Sequence, residues 1–588
     1  MMADDREIAT VEKAAKGKSG EAVCPVWTGK KICGRKLHIG PDTTDEQPVC
    51  LMHSKDPNKQ SGALFDAFWT EFERILKDAG EGEADCERVV FPFADLSGRE
   101  FLATCRFNKA TFTQGAYFSG ARFLKDANFS GAAFQKGCSF SGARFLQDAD
   151  FSDAAFQKGC FFNYASFARN AAFHRAIFTQ DADFRRAIFT QGADFSGASF
   201  QSGAFFHTAT FQQEARFRRA IFTGEAFFSG AGFTGETDFF RASFTQGAEF
   251  IGTTFQNEVK FIGVAFTQEA QFTSAVFAQN ADFSYATFTQ AARFADTEFR
   301  GTVNLRRIRF LDQAEFRRTK FDPQIAGQPS AVFALASFAK PEEILFDDVD
   351  LSRVLFHNCD VSQVRFSSSA RWGRREGQGG LTVFEETIPL EQELERGPKR
   401  DGQRDYWAVS HIYTQLKKNY DAGLDYWTAN EFHFGEMEMK RLAGPTSGRL
   451  LGLRRWRHRN LSLVALYRHA SNYGNSYWKP GAWLLGTLVL FAALLPLPGV
   501  GLKRQETRQV ETYASVWEVS KSARENLWAE AGLAGKGAIA SVDTATFQKS
   551  AEYAPNYPCG RVLAIAESLL TATLFGLFLL AIRRQFRR

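Results

Sequence analysis

The chain has 588 residues, which is too long for a single hydrophobic core and predicts about two to four domains. Its formal net charge of +5 is small for this length and argues against a general nucleic-acid-binding surface. The 62 phenylalanines far exceed the 13 tyrosines and 5 methionines, which indicates one structural position that the same side chain fills repeatedly.

The N-terminal stretch 1–20 is polar and charged and contains no signal-peptide pattern. We therefore expect the N-terminal part of the chain to stay in a reducing compartment. Because the 9 cysteines are scattered without a disulfide-like framework, most of them are expected to remain free thiols.

Residues 1–60 contain a candidate metal site formed by Cys24, Cys33, Cys50 and His53. Three thiolates and one imidazole are a usual tetrahedral zinc set, and a segment this polar needs a metal to fold. The pattern predicts a structural zinc site, with His38 as a substitute ligand. A catalytic zinc is not expected, because the four ligands fill the coordination sphere. The alternative is an unstructured tail with incidental thiols.

An amphipathic segment at 64–76, within the region 61–88, predicts a helix. It precedes the repeats described next. We expect it to cap the first repeat, whose open strand edge would otherwise be exposed.

Phenylalanine recurs from 107 to 299 in alternating steps of five and six, and all 36 positions of this series are phenylalanine. The residue two positions earlier is always small or β-branched: 28 alanines, 3 cysteines, 3 threonines and 2 valines. This period fits neither a helix nor a simple strand. It predicts a coil of short strands in which both residues face the axis. The predicted core ladder begins with Phe107, Phe112, Phe118, Phe123, Phe129 and Phe134.

The pattern resembles the pentapeptide-repeat proteins, which implies a right-handed quadrilateral β-helix. One extra residue in every second unit predicts about 22 residues per coil. The 36 positions then form about nine coils, a rod on the order of 43 Å long. The alternative is a flatter, two-sided coil of about 11 residues, which would make the rod about twice as long. We expect the solenoid to span 89–321, a loop to occupy 322–341, and a final coil to occupy 342–367. Cys138 and Cys160 fall in the small inward position, where they are expected to act as buried apolar filler.

After a linker at 368–403, aromatic and aliphatic residues at helical spacing predict a helical region at 404–480, with a turn at Ala422–Gly423. Two apolar stretches at 481–501 and 559–588 predict transmembrane helices, the second followed by a basic tail. The arginines that flank both helices place the two termini in the cytoplasm and the loop 502–558 outside. Glu567 is the acidic residue within the second span. Its role is either that of a functional group in a pore or that of a residue that packs or reaches the membrane surface.

The motifs YTQLKKNY, GEMEMKR, SNYGNSYWKP and FLLAIRRQFRR resemble a bacterial class of pentapeptide-repeat proteins with an ion-channel-like region of two transmembrane helices. The resemblance covers most of the chain from residue 24 to 588. It implies a mainly β protein with a helical hairpin and two transmembrane α-helices, located in the bacterial inner membrane.

The sequence contains no catalytic motif such as G-x-S-x-G, a Walker loop or H-E-x-x-H, so we do not expect an enzyme. The first functional hypothesis is a membrane-anchored scaffold whose solenoid binds a protein partner. The second is an oligomeric ion channel or membrane-permeabilising effector, in which the transmembrane helices of several copies form the pore and the solenoid controls it. DNA mimicry, implied for some pentapeptide-repeat proteins, requires a strongly acidic rod. Residues 101–300 contain 18 Lys/Arg and 17 Asp/Glu, so no nucleic-acid-related role is expected.

Overall fold

The structure is a computed structural model that divides into two compact units, residues 1–373 with 383–388, and residues 374–382 with 389–588. The described residues are 22–29, 31–38, 45–322, 327–375, 380–387, 405–444, 451–497, 500, 502–504, 510–511, 527–545, 553–555 and 557–585. Most of the predicted linker 368–403 lies outside them.

The first unit is a β-solenoid with four parallel sheets of 13, 12, 13 and 11 strands. Sheet 1 contains Glu83–Asp85, Thr104–Arg106, then one strand per coil from Ala127–Asn128 to Val303–Asn304, then Ala331–Val332 and Val354–Leu355. Sheet 2 contains Val90–Phe91, one strand per coil from Thr111–Phe112 to Arg309–Phe310, then Ser337–Phe338. Sheet 3 contains one strand per coil from Ala94–Asp95 to Ala292–Arg293, then Ala314–Arg317, Ile344–Asp347 and Arg365–Phe366. Sheet 4 contains one strand per coil from Glu100–Phe101 to Lys320–Phe321.

The strand register confirms the four-sided coil. Ala127 pairs with Ala149, and Phe134 pairs with Phe156, each one coil of about 22 residues further along the chain. The two-sided coil is therefore wrong. The solenoid makes about 13 turns rather than the nine counted from the phenylalanine series, because coils built on other apolar residues extend it at both ends.

Stacked phenylalanine rings fill the axis of the solenoid. The rings of Phe112 and Phe134 are parallel, with centroids 4.7 Å apart. Rings in neighbouring stacks meet edge to face, as Phe129 and Phe140 do at 5.5 Å. Both arrangements are favourable for aromatic pairs. The six phenylalanines predicted to begin the ladder are all fully buried.

Every second corner of a coil is a tight turn that needs a residue with positive φ. At Gly120, φ is +66°, and the N–H of Ala121 donates to the carbonyl of Phe118 over 3.0 Å. This is the pattern of a type II turn, in which the third residue favours glycine. One such turn in every half-coil accounts for the period seen in the sequence.

The predicted loop at 322–341 is shorter than expected. Ala331–Val332 and Ser337–Phe338 lie inside it but belong to sheets 1 and 2. The step from Val303 to its partner Ala331 is longer than in the regular coils, so one coil carries a short insertion. The chain therefore returns to the solenoid earlier than the loss of the phenylalanine pattern indicated.

A 3₁₀ helix, Phe384–Glu386, covers the C-terminal coils of the solenoid. The Glu385 side chain is fully buried, and its Oε1 accepts a hydrogen bond from the backbone N–H of Phe356 over 2.5 Å. Burial raises the pKa of Glu385 to about 7. This acid therefore favours its neutral form in the folded protein.

The end of the solenoid that contains Glu385 is expected to lose stability as the pH rises from about 4.5 to 7. In this window the folded state binds more protons than the unfolded state, so the free energy of unfolding falls, by about 3 kcal/mol for a shift of this size. Glu385→Gln should keep the hydrogen bond and remove this pH dependence, whereas Glu386→Gln should retain it. Hydrogen exchange of residues 354–366 from pH 5 to 8 measures the effect. Equal slopes for the two variants would contradict the prediction.

The second unit contains seven described helices. They are α2 (Tyr406–Ala422), α3 (Tyr426–Leu442), α4 (Leu451–Leu461), α5 (Leu463–Ser471), α6 (Trp478–Leu494), α7 (Leu527–Ala545) and α8 (Pro558–Gln585), numbered after α1 (Gly62–Ala79) of the first unit. The second unit also contains the antiparallel strands Leu502–Arg504, Val510–Glu511 and Tyr553–Pro555. The short strands Gly373–Arg374 and Leu381–Thr382 pair with each other. The 3₁₀ helices Pro57–Gln60 and Pro341–Glu343 belong to the first unit.

Helices α2 and α3 form the predicted hairpin, in which Tyr413, Tyr420 and Phe432 are buried. The Glu438 carboxylate, on α3, accepts hydrogen bonds from Arg441 at 2.6 Å and from the Tyr473 hydroxyl at 2.9 Å. Glu438 belongs to the motif GEMEMKR and Tyr473 to SNYGNSYWKP. The two motifs therefore form one buried ionic cluster that joins the hairpin to the turn before α6.

Among the described residues, one helical stretch is long and apolar enough to cross a membrane, the 26 residues Pro558–Arg583 of α8. Helix α6 has only 17 residues and ends before Leu495, although a single span was predicted at 481–501. About 20 residues are needed to cross a bilayer, so two crossings are not established. The predicted external loop contains α7, which packs against α6 and α8.

Candidate metal centre at the N-terminal end of the solenoid

The first two cysteines of the predicted zinc set lie on a short antiparallel hairpin. The backbone N–H of Cys24 donates to the carbonyl of Arg35, and that of Cys33 donates to the carbonyl of Val26, both over 2.8 Å. Gly34, with φ of +64°, follows Cys33. The hairpin therefore brings two thiols that are separated in sequence to the same end.

The other two predicted ligands lie on one tight turn. The backbone N–H groups of His53 and Ser54 both donate to the carbonyl of Cys50 over 3.0 Å. This turn directs the Cys50 thiol and the His53 ring to the same side. A spacing of two residues between ligands is a common half of a zinc site.

The four ligand atoms converge, with all of them within 4.8 Å of one another. The Nδ1 atom of His53 lies 3.4 Å from Cys24 Sγ and 3.3 Å from Cys50 Sγ, and Cys33 Sγ lies 3.7 Å from Cys50 Sγ. A tetrahedral zinc with ordinary bond lengths requires S–S edges of about 3.8 Å and S–N edges of about 3.5 Å. The cluster can therefore hold a metal such as zinc.

Neighbouring groups fix the orientation of two ligands. The second ring nitrogen of His53, Nε2, lies 3.1 Å from the carbonyl oxygen of Glu87 in the first coil, which sets Nδ1 free for a metal. Arg35 donates to Cys33 Sγ over 3.3 Å and to Glu71 of α1 over 3.0 Å. Such outer contacts hold metal ligands in place and tune their basicity.

The electrostatics of the cluster favour a metal-binding protonation state for one thiol. Hydrogen bonds with Cys24 and Cys50 lower the pKa of the Cys33 thiol. Burial opposes a charged His53, but hydrogen bonds with Cys24 and Cys33 raise its pKa to about 9. These directions favour a thiolate at Cys33, the form that binds a metal, and a cation bound at Nδ1 of His53 would require that nitrogen to be deprotonated.

His38, the predicted substitute ligand, lies outside the cluster. Its Nε2 is 2.9 Å from Asp56 Oδ2, and it is not one of the four converging groups. Asp56 in turn accepts a hydrogen bond from the backbone N–H of Asn58. His38 therefore supports the turn that follows Cys50 and His53, a role that spacing alone could not separate from ligation.

The metal centre is attached to the first coil of the solenoid. Lys59 is buried, and its Nζ donates to the carbonyls of Leu51 (2.8 Å), Ser54 (2.8 Å) and Val90 (2.6 Å). The backbone N–H of Val90 also donates to the carbonyl of Met52. One ammonium group therefore joins the ligand turn to the first strand of sheet 2. Sequence analysis missed Lys59, because a lysine in a polar segment is usually exposed.

Helix α1 covers the end of the phenylalanine stack, as the amphipathic segment predicted. Phe68 and Phe72 each pack edge to face on Phe91, with centroids 5.5 Å apart. Arg99 of the solenoid donates to both carboxylate oxygens of Glu73, at 2.5 and 2.6 Å. The metal cluster, Lys59 and α1 together protect the open edge of the first coil.

The other sequence-predicted residues lie far from this centre in the chain. Glu567 is buried in α8, where its carboxylate accepts a hydrogen bond from the Ser541 hydroxyl of α7. This contact places it among packed helices and leaves its role as a pore group a prediction.

Cys138 and Cys160 form a disulfide between adjacent coils of sheet 3. They were expected to be free, buried filler. They are buried, but the four-sided coil places them directly opposite each other, with Cα atoms 4.8 Å apart. Their sequence separation of 22, the length of one coil, was the signal that could have predicted the pair.

Peptide mapping is expected to recover Cys138 and Cys160 as one linked pair when the protein is unfolded and alkylated without a reductant. Both positions should be alkylated after reduction, because a reductant converts the disulfide into two thiols that the unfolded chain exposes. Cys105 and Cys359, which are buried and unpaired with another cysteine, are the internal controls and should react in both samples. Equal labelling of all four positions without reductant would contradict the disulfide.

The comparisons with known proteins concern the solenoid. The family model of pentapeptide repeats (nine copies) matches residues 96–144, 140–188, 184–232 and 272–320, which is about a third of the chain. No curated protein and no solved structure matches the chain. The matched segments lie within the four-sided coils of the solenoid. The four-sided solenoid of this chain is therefore a pentapeptide-repeat β-solenoid.

Proposed function

We propose that this protein is a membrane-anchored scaffold whose solenoid binds a protein partner. The observation that carries the proposal is a row of aromatic residues on the outer face of sheet 3. Tyr117 and Phe161 are 39% and 47% exposed at positions where the repeat otherwise favours polar side chains. Ser139 lies between Tyr117 and Phe161 in this row, and Asp183 lies between Phe161 and Phe205. Phe205 and Phe227 stack on each other with centroids 5.2 Å apart.

An outer row of this kind fits protein binding better than folding. Aromatic side chains are enriched in the centres of protein interfaces, whereas they contribute little to stability on a solvated surface. The surrounding backbone is a 13-stranded sheet, so the row is held rigidly and loses little entropy on binding. The apolar stretch of α8 supplies the membrane attachment in this proposal.

The proposal is tested with a photo-crosslinking amino acid at position 161 of the full chain in cells, and with the same residue at position 175, at the corner between sheets 1 and 2. A specific crosslinked protein at 161 alone, lost in the Phe205→Glu variant, is the expected result. Crosslinks that are the same at both positions, or insensitive to Phe205→Glu, would exclude this face as the binding surface.

A second candidate function is an oligomeric pore, and it rests on the packing of α7 against α6 and α8. A Cβ at Gly537 of α7 would overlap the carbonyl oxygen of Ala492, so the two helices approach closely. Ser541 of the same helix contacts Glu567. This candidate predicts ion flux in liposomes that is changed by Glu567→Gln and lost on deletion of 482–588. Absence of ion flux would contradict the pore and leave the membrane-anchored scaffold as the remaining candidate function.

A further inference from the structure

A groove of about 480 Å³ lies on one corner of the solenoid, next to the aromatic row of sheet 3. Three successive coils line it with Asn163–Tyr164, Arg185–Arg186 and His207–Thr208. Its volume is within the range of small-ligand sites, which usually measure about 300–1,000 Å³. We call these six residues the corner groove.

The corner groove interrupts a simple sequence pattern. The same corner is Ser–Gly at 97–98, 119–120 and 141–142, and again at 229–230. In the groove, the glycine position is taken by Tyr164, Arg186 and Thr208, with φ of +59°, +57° and +54°. Ser274, Asp296 and Arg318 take the same position further along the solenoid, so this turn accepts side chains of several kinds, and the groove is distinguished by which side chains it holds.

The groove is rich in hydrogen-bond donors. Arg186 donates to the hydroxyl of Tyr164 over 2.6 Å, and its guanidinium lies over that ring at 5.4 Å. In the described part of the chain, no carboxylate lies within ion-pair distance of Arg186. The Tyr164 hydroxyl accepts from Arg186, so its own proton remains available to a ligand.

The rest of the lining adds one more charge. Arg185 is held by Asp183 in a two-point ion pair, at 2.7 and 2.9 Å, which leaves its Nη1 edge unused by that carboxylate. Nδ1 of His207 is buried and has no hydrogen-bond partner among the residues that the structure describes, so this nitrogen does not face a ligand. The ring of His207 stacks on Phe227 with centroids 5.1 Å apart, which fixes its orientation. Glu249 accepts a hydrogen bond from Ser229.

We propose that the corner groove binds a phosphate group. Two guanidinium groups, a phenol and an amide from two successive coils offer more donors than one carboxylate can use, whereas a phosphate has enough oxygens to accept from several of them. The adjacent rings of Phe205 and Phe227 suit an apolar or peptide portion attached to that phosphate. This inference rests on the proposed scaffold function, since it identifies the chemistry by which a partner would be recognised.

The test is isothermal titration calorimetry of the full chain in detergent, at pH 7 and constant ionic strength, with inorganic phosphate and with acetate. Phosphate is expected to bind at least tenfold more tightly than acetate. The variant Arg186→Gln should weaken phosphate binding by at least tenfold, because a charge-assisted hydrogen bond is lost. Arg175→Gln is the matched control, since Arg175 also has positive φ at a corner but is paired with Asp153.

A phosphoserine peptide and glycerol phosphate distinguish the two sources of such a group, a modified protein and a lipid headgroup. Tighter binding of the peptide assigns the groove to a phosphoprotein, and tighter binding of glycerol phosphate assigns it to a lipid; both outcomes support a phosphate site. No phosphate binding, equal affinity for acetate, or equal loss in Arg186→Gln and Arg175→Gln would overturn it. Because these probes need no partner protein, a negative result here leaves the crosslinking test at position 161 unaffected.

Discussion

Protein purified without added metal is expected to contain about one zinc ion per chain, and the Cys50→Ser variant about a tenth of that. Cys50 Sγ lies 3.3 Å from His53 Nδ1 and 3.7 Å from Cys33 Sγ, so this thiol contacts two other ligands. Replacing it by a hydroxyl removes one of three thiolates from a soft donor set. Inductively coupled plasma mass spectrometry against protein concentration measures the ratio.

His38→Gln is the control for zinc binding, because His38 was the alternative ligand and instead contacts Asp56. It should retain about one zinc per chain. Zinc below one ion per two chains in the unmodified protein would count against the site. Equal zinc loss in His38→Gln and Cys50→Ser would show that the turn around Asp56, rather than the ligand set, controls the metal.

Removal of the metal is also expected to release the end of the solenoid. Structural zinc in small domains contributes folding free energy directly, since the site does not exist in the unfolded chain. His53 joins the site to the carbonyl of Glu87, so hydrogen exchange in the first coil, residues 83–106, should increase after chelation. Coils beyond about residue 150 should be unaffected, because each coil of a solenoid contacts only its neighbours. A uniform change along the solenoid would contradict this local coupling.

The repeated part of the fold was predictable because every coil solves the same packing problem. The alternation of five and six in the phenylalanine spacing reflects one positive-φ turn in each half-coil, as at Gly120, and this period is visible without any tertiary information. The choice between two and four sides was not visible, since both satisfy the same inward pattern. The register of Ala127 with Ala149 decides it.

The parts that were missed depend on contacts between segments distant in sequence. Helix α7 has an ordinary, mildly apolar sequence, and its packing against α6 and α8 gives it the role that its composition does not indicate. Glu385 lies in a stretch predicted as linker, yet it reaches the backbone of Phe356 and closes the C-terminal coils. In the candidate metal site the ligand set was predictable from residue types, whereas Lys59 was not, because its burial depends on three carbonyls from one turn and one strand that are distant in sequence.

Phe162→Ala is expected to destabilise the middle of the solenoid by about 3–5 kcal/mol, the usual cost of removing a buried phenylalanine. The Phe162 ring is fully buried and stacks on Phe140 and Phe184, with both centroid distances 4.9 Å. It also meets Phe151 and Phe173 edge to face, each at 5.3 Å. The substitution leaves a cavity that the rigid coils above and below cannot close.

The adjacent residue supplies the matched control, because Phe161→Ala removes the same ring from the neighbouring position but from the outer face of the sheet. Phe161 is 47% exposed, so its loss should change the free energy of unfolding by less than about 0.5 kcal/mol. Hydrogen exchange of residues 138–184 in urea measures both variants. Successive residues of a strand face opposite sides of the sheet, so we expect Phe162 to point to the axis and Phe161 to point to solvent. A similar loss of stability in both variants would contradict this assignment.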